Sequence, residues 1–163
     1  MKISTFKDMY IAELQELFSV EAQLAEALLE MAEVASNKAL KDALANHRDE
    51  TLVQQSRLES VLEKHRARAQ EHTDQAMQAL VRESEKMLEM VEGNDLRDAA
   101  IIASAQKIEH YEIAAYGTAA ALAGQLNLRD DQQMLHQSLE EEKKADALLT
   151  QLAKGEVNRA AAA

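Results

Sequence analysis

Four runs in this 163-residue chain place a carboxylate where helical periodicity otherwise puts an apolar side chain. Taking every third or fourth residue from Tyr10 gives Tyr10, Leu14, Leu17, Glu21, Leu24, Leu28 and Met31. A second run is Leu40, Leu44, His47, Glu50, Gln54, Leu58 and Val61, and a third is Ile101, Ala105, Ile108, Glu112, Ala115, Ala119 and Leu122. The last is Leu135, Leu139, Glu142, Asp146 and Leu149. Residues on the apolar stripe of a helix face the core. A charge there is expensive unless it is paired or bound to a metal. Carboxylates on four separate helices therefore point to a shared cation. An oxygen-rich donor set suits iron, manganese or magnesium better than zinc or copper.

Spacing from the turns predicts that these carboxylates meet. Glu21 and Glu50 both lie about 20–23 Å from the turn at Ser36-Asn37, at a rise of about 1.5 Å per residue. Glu112 and Glu142 lie about 24 and 21 Å from the connection at Asn127–Asp130 on the same rise. Glu109 sits one turn before Glu112 on the same face, and Asp146 one turn after Glu142. Like charges crowded into a dry layer raise one another's pKa values, and some must stay protonated. Two divalent ions, iron or manganese, would relieve the conflict. Glu21 and Glu50 are expected to hold one ion and Glu109 and Glu142 the other, with Glu112 between them. Di-metal bundles carry Glu-x-x-His pairs on two helices, but here Val53 and Ala145 occupy the histidine positions. Gln54 and Asp146, four residues after their glutamates, are the substitute oxygen ligands. His47 is read as a group that orients a ligand or fills the core, with direct ligation of a metal the alternative. Tyr116 is read as a core tyrosine bonded to a carboxylate, or as a redox-active neighbour of the metals. Arg57 is the candidate ion-pair partner for Glu50, and His65, His72 and His136 read as surface residues.

The elements that must position these groups are helices. The chain has no proline and only four glycines, and is rich in Ala, Leu, Glu, Gln, Lys and Met, all good helix formers. Ser4 or Thr5 with Asp8 forms a capping signal, and a first helix follows to about Ala35. A second runs from about Lys38 to the region of Arg66. Residues 67–74 lose the apolar stripe. A shorter helix over 75–92 turns Met77, Leu80, Val81, Leu88 and Val91 inward. Long helices then span about Leu96–Leu126 and Asp131–Lys154. Residues 1–155 form one domain, and 156–163 read as a frayed tail. Short turns make two antiparallel hairpins, and about thirty residues between them carry the chain back along the bundle. The expected architecture is an all-α, ferritin-like four-helix bundle with one long crossover containing a short fifth helix. The alternative is a plain up-down bundle.

Composition narrows the function. Cysteine is absent, which removes disulfides, thiolate metal sites and thiol nucleophiles. The net charge of −11, with no basic face, argues against nucleic-acid binding. No apolar run is long enough to span a bilayer and no secretory signal pattern opens the chain, so the cytoplasm is the expected location. Small residues on the back of the third long helix (Ala103, Ala114, Gly117, Ala121, Gly124, with His110 among them) suggest close approach of another helix, either the crossover or a second copy in a homodimer.

The segments Phe18–Leu24, Glu50-Thr51 with Gln54, Gln106–Gly117 and Leu139–Asp146 resemble the YciE/YciF-type ferritin-like stress proteins, and the run Glu109-His-Tyr-Glu-Ile-Ala-Ala-Tyr-Gly117 is the most specific part. The resemblance extends from about Thr5 to Ala153. It implies a ferritin-like bundle, dimerisation, a di-metal site and a bacterial stress-response context. The Glu-x-x-Glu of Glu109 and Glu112 is also similar to rubrerythrin-type sites. These features predict a di-metal protein with ferroxidase or peroxide-consuming activity. The rival is a non-enzymatic helical dimer or scaffold with a protonated carboxylate layer, and a shell-forming storage ferritin is a third reading.

Overall fold

The computed structural model describes residues 2–163. Its elements are α1 (Phe6–Val34), α2 (Lys38–Lys64), a 3-10 turn (Ala69–Glu71), α3 (Gln75–Met90), α4 (Asn94–Gln125), α5 (Arg129–Leu152), a π-helical turn (Ala153–Val157) and α6 (Asn158–Ala161). No strand occurs among the described residues.

Local chemistry fixes the helix ends. Thr5 Oγ1 accepts the Asp8 N–H at 3.0 Å, and the Asp8 carboxylate accepts the Thr5 N–H at 2.9 Å, which completes a capping box. Asn37 caps α2 by accepting the Leu40 N–H, and Asp74 caps α3 by accepting the Met77 N–H. The last turns of α2 and α4 close alike. Arg66 and Asn127 both adopt φ 57°, and the next amides return to Leu62 and Ala123 at 3.0 Å. This is the Schellman closure. Gly93, at φ 87°, precedes α4 in a backbone conformation that suits a residue without Cβ.

The four long helices α1, α2, α4 and α5 make the bundle. The α1–α2 and α4–α5 hairpins pack side by side through α1–α4 and α2–α5. The α2–α4 connection runs the length of the molecule, with α3 lying against α1 and α4. This is the single long crossover of ferritin-like topology. The interior is divided. One apolar cluster includes Val20, Leu24, Leu28, Leu40, Leu44, Ile101, Ile108 and Leu149. The other includes Tyr10, Leu14, Leu17, Leu58, Leu62, Tyr116, Ala119 and Leu135. Between them lies the polar layer that holds the candidate site.

Three expectations change. The tail read as frayed continues in helical form, and Val157 is buried in the first cluster at 3% exposure. Packing of this one valine against the bundle end fixes a segment that has no periodic pattern. His65 is not a surface residue: its Nε2 lies 2.7 Å from Asp131 Oδ2, and its ring stands edge-on to Tyr10. The crossover helix leaves Ala103, His110, Ala114 and Ala121 exposed, so it is not what the small-residue stripe receives. At Gly124 the close neighbour is Gln132 of α5, which a Cβ would meet at 2.5 Å.

Asp98 joins the two hairpins at one end of the bundle. Buried at 4% exposure, its carboxylate accepts the Ser36 N–H at 2.8 Å and the Asn37 N–H at 2.7 Å. Replacing it with alanine orphans both amides, each worth about 1–3 kcal/mol when left unsatisfied. Asp98→Ala should therefore lower stability in urea by about 2–4 kcal/mol. A change within error would show that water replaces the carboxylate without penalty.

Candidate metal centre

The polar layer is built from one to three inward residues of each long helix. On α1, Glu21 stands between Leu17 and Leu24. On α2, the inward positions are Leu40, Leu44, His47, Thr51, Gln54, Leu58 and Val61. On α4 they are Glu109, Glu112 and Tyr116, and on α5 Glu142. Glu21, Glu109, Glu112 and Glu142 are each 0% exposed, and His47 is 6% exposed.

His47, Glu109, Glu112 and Glu142 offer one ligand atom each within 4.8 Å of one another. His47 Nε2 lies 3.0 Å from Glu109 Oε1 and 3.4 Å from Glu142 Oε2. Glu21 lies beside this group, its carboxylate receiving the Tyr116 hydroxyl. The Gln54 amide donates to Glu142 and, at 3.2 Å, to Glu141. Glu141 is in turn gripped by Arg57, whose Nη2 donates to it at 3.0 Å.

The layer is under-satisfied. Both oxygens of Glu109 and Glu112, one oxygen each of Glu21 and Glu142, the Gln54 carbonyl oxygen and both His47 nitrogens are buried without a hydrogen-bond partner. Native interiors leave few such groups. Here they converge from four helices, and no lysine or arginine reaches these oxygens. Arg57, the guanidinium beside the layer, is committed to Glu141.

Electrostatics shows the same conflict. Burial pushes the Glu21 carboxyl up to about 8, although the Tyr116 hydrogen bond and His47 pull it down. Burial likewise pushes Glu142 up to about 9, against the pull of His47 and with the push of Glu109 and Glu21. Glu112 is raised well above the carboxylate range by burial and then by Glu142, Glu21 and Glu109. Burial favours neutral His47, but Glu109, Glu50 and Glu142 outweigh it and hold the imidazolium well above its ordinary range. Burial and the neighbouring Glu21 keep the Tyr116 hydroxyl protonated. Ionising Glu21 alone against its shift costs on the order of 5 kcal/mol. That compares with the roughly 5–15 kcal/mol that holds a domain folded. The metal-free layer cannot be fully ionised. The donor set is one that could hold a metal ion: buried carboxylates with one imidazole suit iron or manganese.

The structure brings together Glu21, Glu109, Glu112, Glu142, Gln54 and Tyr116 as the sequence suggests, and adds three residues. His47, expected to orient a ligand, stands among the ligand atoms. Thr51 is the inward residue where Glu50 was expected, and its hydroxyl bonds the His47 carbonyl at 3.0 Å. Glu141 is the partner that holds Gln54 and Arg57. Glu50 points outward with 55% of its side chain exposed and Oε2 3.8 Å from His47 Nδ1. The reason is periodicity: strict alternation of steps of four and three from Leu40 passes through His47, Thr51 and Gln54, and leaves Glu50 about 100° away from Thr51. Arg57 accordingly pairs with Glu141 and not with Glu50. Asp146 is half-buried at the α4–α5 edge, where it accepts the Gln106 amide at 3.0 Å and lies 3.4 Å from His110. Those two α4 side chains draw it away from the layer.

Residues 5–162 match the family described as a domain of unknown function (DUF892). The chain is 42% identical to protein YciF of Escherichia coli strain K12 over 162 residues, which covers 99% of this chain and 98% of YciF. Its structure is similar to the crystal structure of the E. coli stress protein YciF, with TM-score 0.90 over 96% of this chain and 99% of the other. It is also similar to that of YcfI from Rhodopseudomonas palustris, with TM-score 0.88 at 35% identity, over 91% of this chain and 95% of the other. A Xanthomonas campestris protein at 16% identity shares the fold, with TM-score 0.76 over 92% of each chain.

A carboxyl whose folded-state pKa is raised stabilises the fold when protonated. Its contribution is complete below the unfolded value near 4.5 and is lost as pH climbs through the folded value. Glu21, Glu112, Glu142 and His47 all act in this sense. Glu141 is raised by burial but brought below the carboxylate range by Arg57, Gln137 and Gln54, so its opposite contribution is complete well below pH 6. The melting temperature of metal-free protein should therefore fall between pH 6 and pH 9, by several degrees in scanning calorimetry. A flat profile would mean that the layer is neutral or hydrated throughout.

Proposed function

Because this chain belongs to the DUF892 family, whose member YciF of E. coli is described as a stress protein, we propose that it is a ferritin-like di-metal protein of the bacterial stress response. Iron or manganese is the proposed native metal. The observation that carries the reading is the set of unpartnered, fully buried carboxylate oxygens on three of the bundle helices, facing one histidine on the fourth. One ion would be held by His47, Glu109, Glu112 and Glu142, which already share a ligand-sized space. A second would be held on the Glu21 side, by Glu21 with the Gln54 carbonyl and the shared carboxylates. Glu50 and Asp146 stand outside this resident set.

A bound pair of such ions would supply one- and two-electron chemistry toward oxygen or peroxide, so ferroxidase or peroxide-consuming activity is the proposed reaction class. The chain's own residues do the rest. Tyr116 holds Glu21 in place by donating its hydroxyl proton. Gln54 fixes Glu142, and the Arg57–Glu141 pair fixes Gln54. The apolar clusters above and below exclude water, which strengthens every charge interaction within the layer. No helix among the described residues is long and apolar enough to cross a membrane, and the cytoplasm is the proposed location. The exposed stripe of Ala103, Ala114 and Ala121 is the proposed face of a homodimer. Light scattering should give twice the chain mass, and Ala114→Arg should return it to one.

Calorimetric titration of metal-free protein with iron(II) under nitrogen should give two ions per chain. At a free concentration one hundred times the dissociation constant, each ion that binds the folded state alone adds about 2.7 kcal/mol. That raises the melting temperature by roughly 5–10 °C for a domain of this size. Glu112→Gln should raise the melting temperature of the metal-free protein by a few degrees and abolish the metal-induced rise. No uptake, together with an unchanged melting temperature in both proteins, would favour the scaffold reading.

A further inference from the structure

The layer is sealed by two apolar clusters along the bundle axis, so a cation must reach it from the side. Between α2 and α5 lies a cleft of about 360 Å³. Ala43, Ala145 and Leu148 form its walls, and Lys144 stands on its rim. Its floor is His47 and Glu109, two members of the buried cluster, and Glu50 stands at its side. One water occupies about 30 Å³ of liquid, so the cleft has room for about a dozen waters, enough for a divalent ion with its first hydration shell. Neither nitrogen of His47 makes an aligned hydrogen bond although the residue is 94% buried, and the ring lines this space.

Resting on the metal reading above, we propose that this α2–α5 cleft is the inlet for divalent cations, and that Glu50 is the carboxylate that captures them and passes them to His47. Glu50 has the placement for that task. It faces solvent, with 55% of its side chain exposed, and its carboxylate lies within 4 Å of His47 in the buried cluster. An exposed carboxylate can bind a hydrated ion without first desolvating it. The Nδ1 of His47 lies 3.8 Å away and Nε2 faces the buried glutamates, so the ring spans the step from the cleft to the layer. The apolar walls focus the field of Glu50 on the cleft by excluding competing dipoles.

Stopped-flow mixing of metal-free full-length protein with cobalt(II), followed by the visible absorption of the bound ion, separates rate from amount. Glu50→Gln should slow uptake about tenfold at low salt while leaving the final absorbance and stoichiometry unchanged. Ala145→Phe, which fills the cleft from its α5 wall and removes no ligand, should slow it further. Glu59→Gln, an equal change of charge on the exposed face of α2, should leave the rate within twofold. Unchanged rates in both cleft variants, with normal final uptake, overturn the inlet and leave the metal reading standing. A reduced final amount in Glu50→Gln makes Glu50 a resident ligand and also overturns it. No uptake by the unaltered protein removes the metal reading and the inlet together.

Discussion

Mutual repulsion among four fully buried glutamates is the constraint around which this molecule is organised. Each is brought in by a helix whose neighbouring inward residues are leucine, isoleucine, alanine or valine, so none can withdraw without exposing apolar surface. Burial and mutual proximity raise Glu21, Glu112 and Glu142 together, and His47 supplies a single positive charge against them. An ordinary core would fill such a layer with leucine. Retaining the acids while placing no lysine or arginine among them leaves a site that a divalent cation completes.

The rest of the fold serves to keep that layer closed and level. The apolar clusters on either side clamp it, and the hairpin ends fix its height: Asp98 ties the start of α2 to α4 at one end, and Asp131 gathers His65 and Tyr10 at the other. Around the glutamates runs a set of neutral or paired groups, Tyr116, Gln54, and Arg57 with Glu141. These orient the carboxylates without neutralising them. The arrangement is asymmetric. The imidazole lies against Glu109 and the cleft, the amide against Glu142 and the phenol against Glu21.

Much of this was legible in the chain because helices of about thirty residues repeat their period often enough to define a face. Glu21, Glu112 and Glu142 sit within runs whose apolar residues leave no ambiguity, and matched distances from short turns place them at one level. Glu50 shows where the pattern fails. Between His47 and Gln54 a step of three or of four is equally natural, and only the strict alternation that continues to Leu58 and Val61 selects Thr51. His47 was seen on the seam, but its part in the cluster depends on the rotation of α2 against α4, which periodicity within one helix does not contain. Glu141 and Arg57 are a pair across α2 and α5, and Val157 is buried by the way the bundle end is covered. Such contacts come from assembly, and no spacing within a helix announces them.

The central claim is that buried acids on three helices and a histidine on the fourth are held together by cations. The most direct measurement is anomalous X-ray diffraction from crystals of the protein purified without chelator, at the iron and manganese edges. The account predicts two anomalous peaks within the layer, one among His47, Glu109, Glu112 and Glu142 and one beside Glu21. A layer with no anomalous signal, its carboxyl groups paired to one another through shared protons or ordered water, would contradict it.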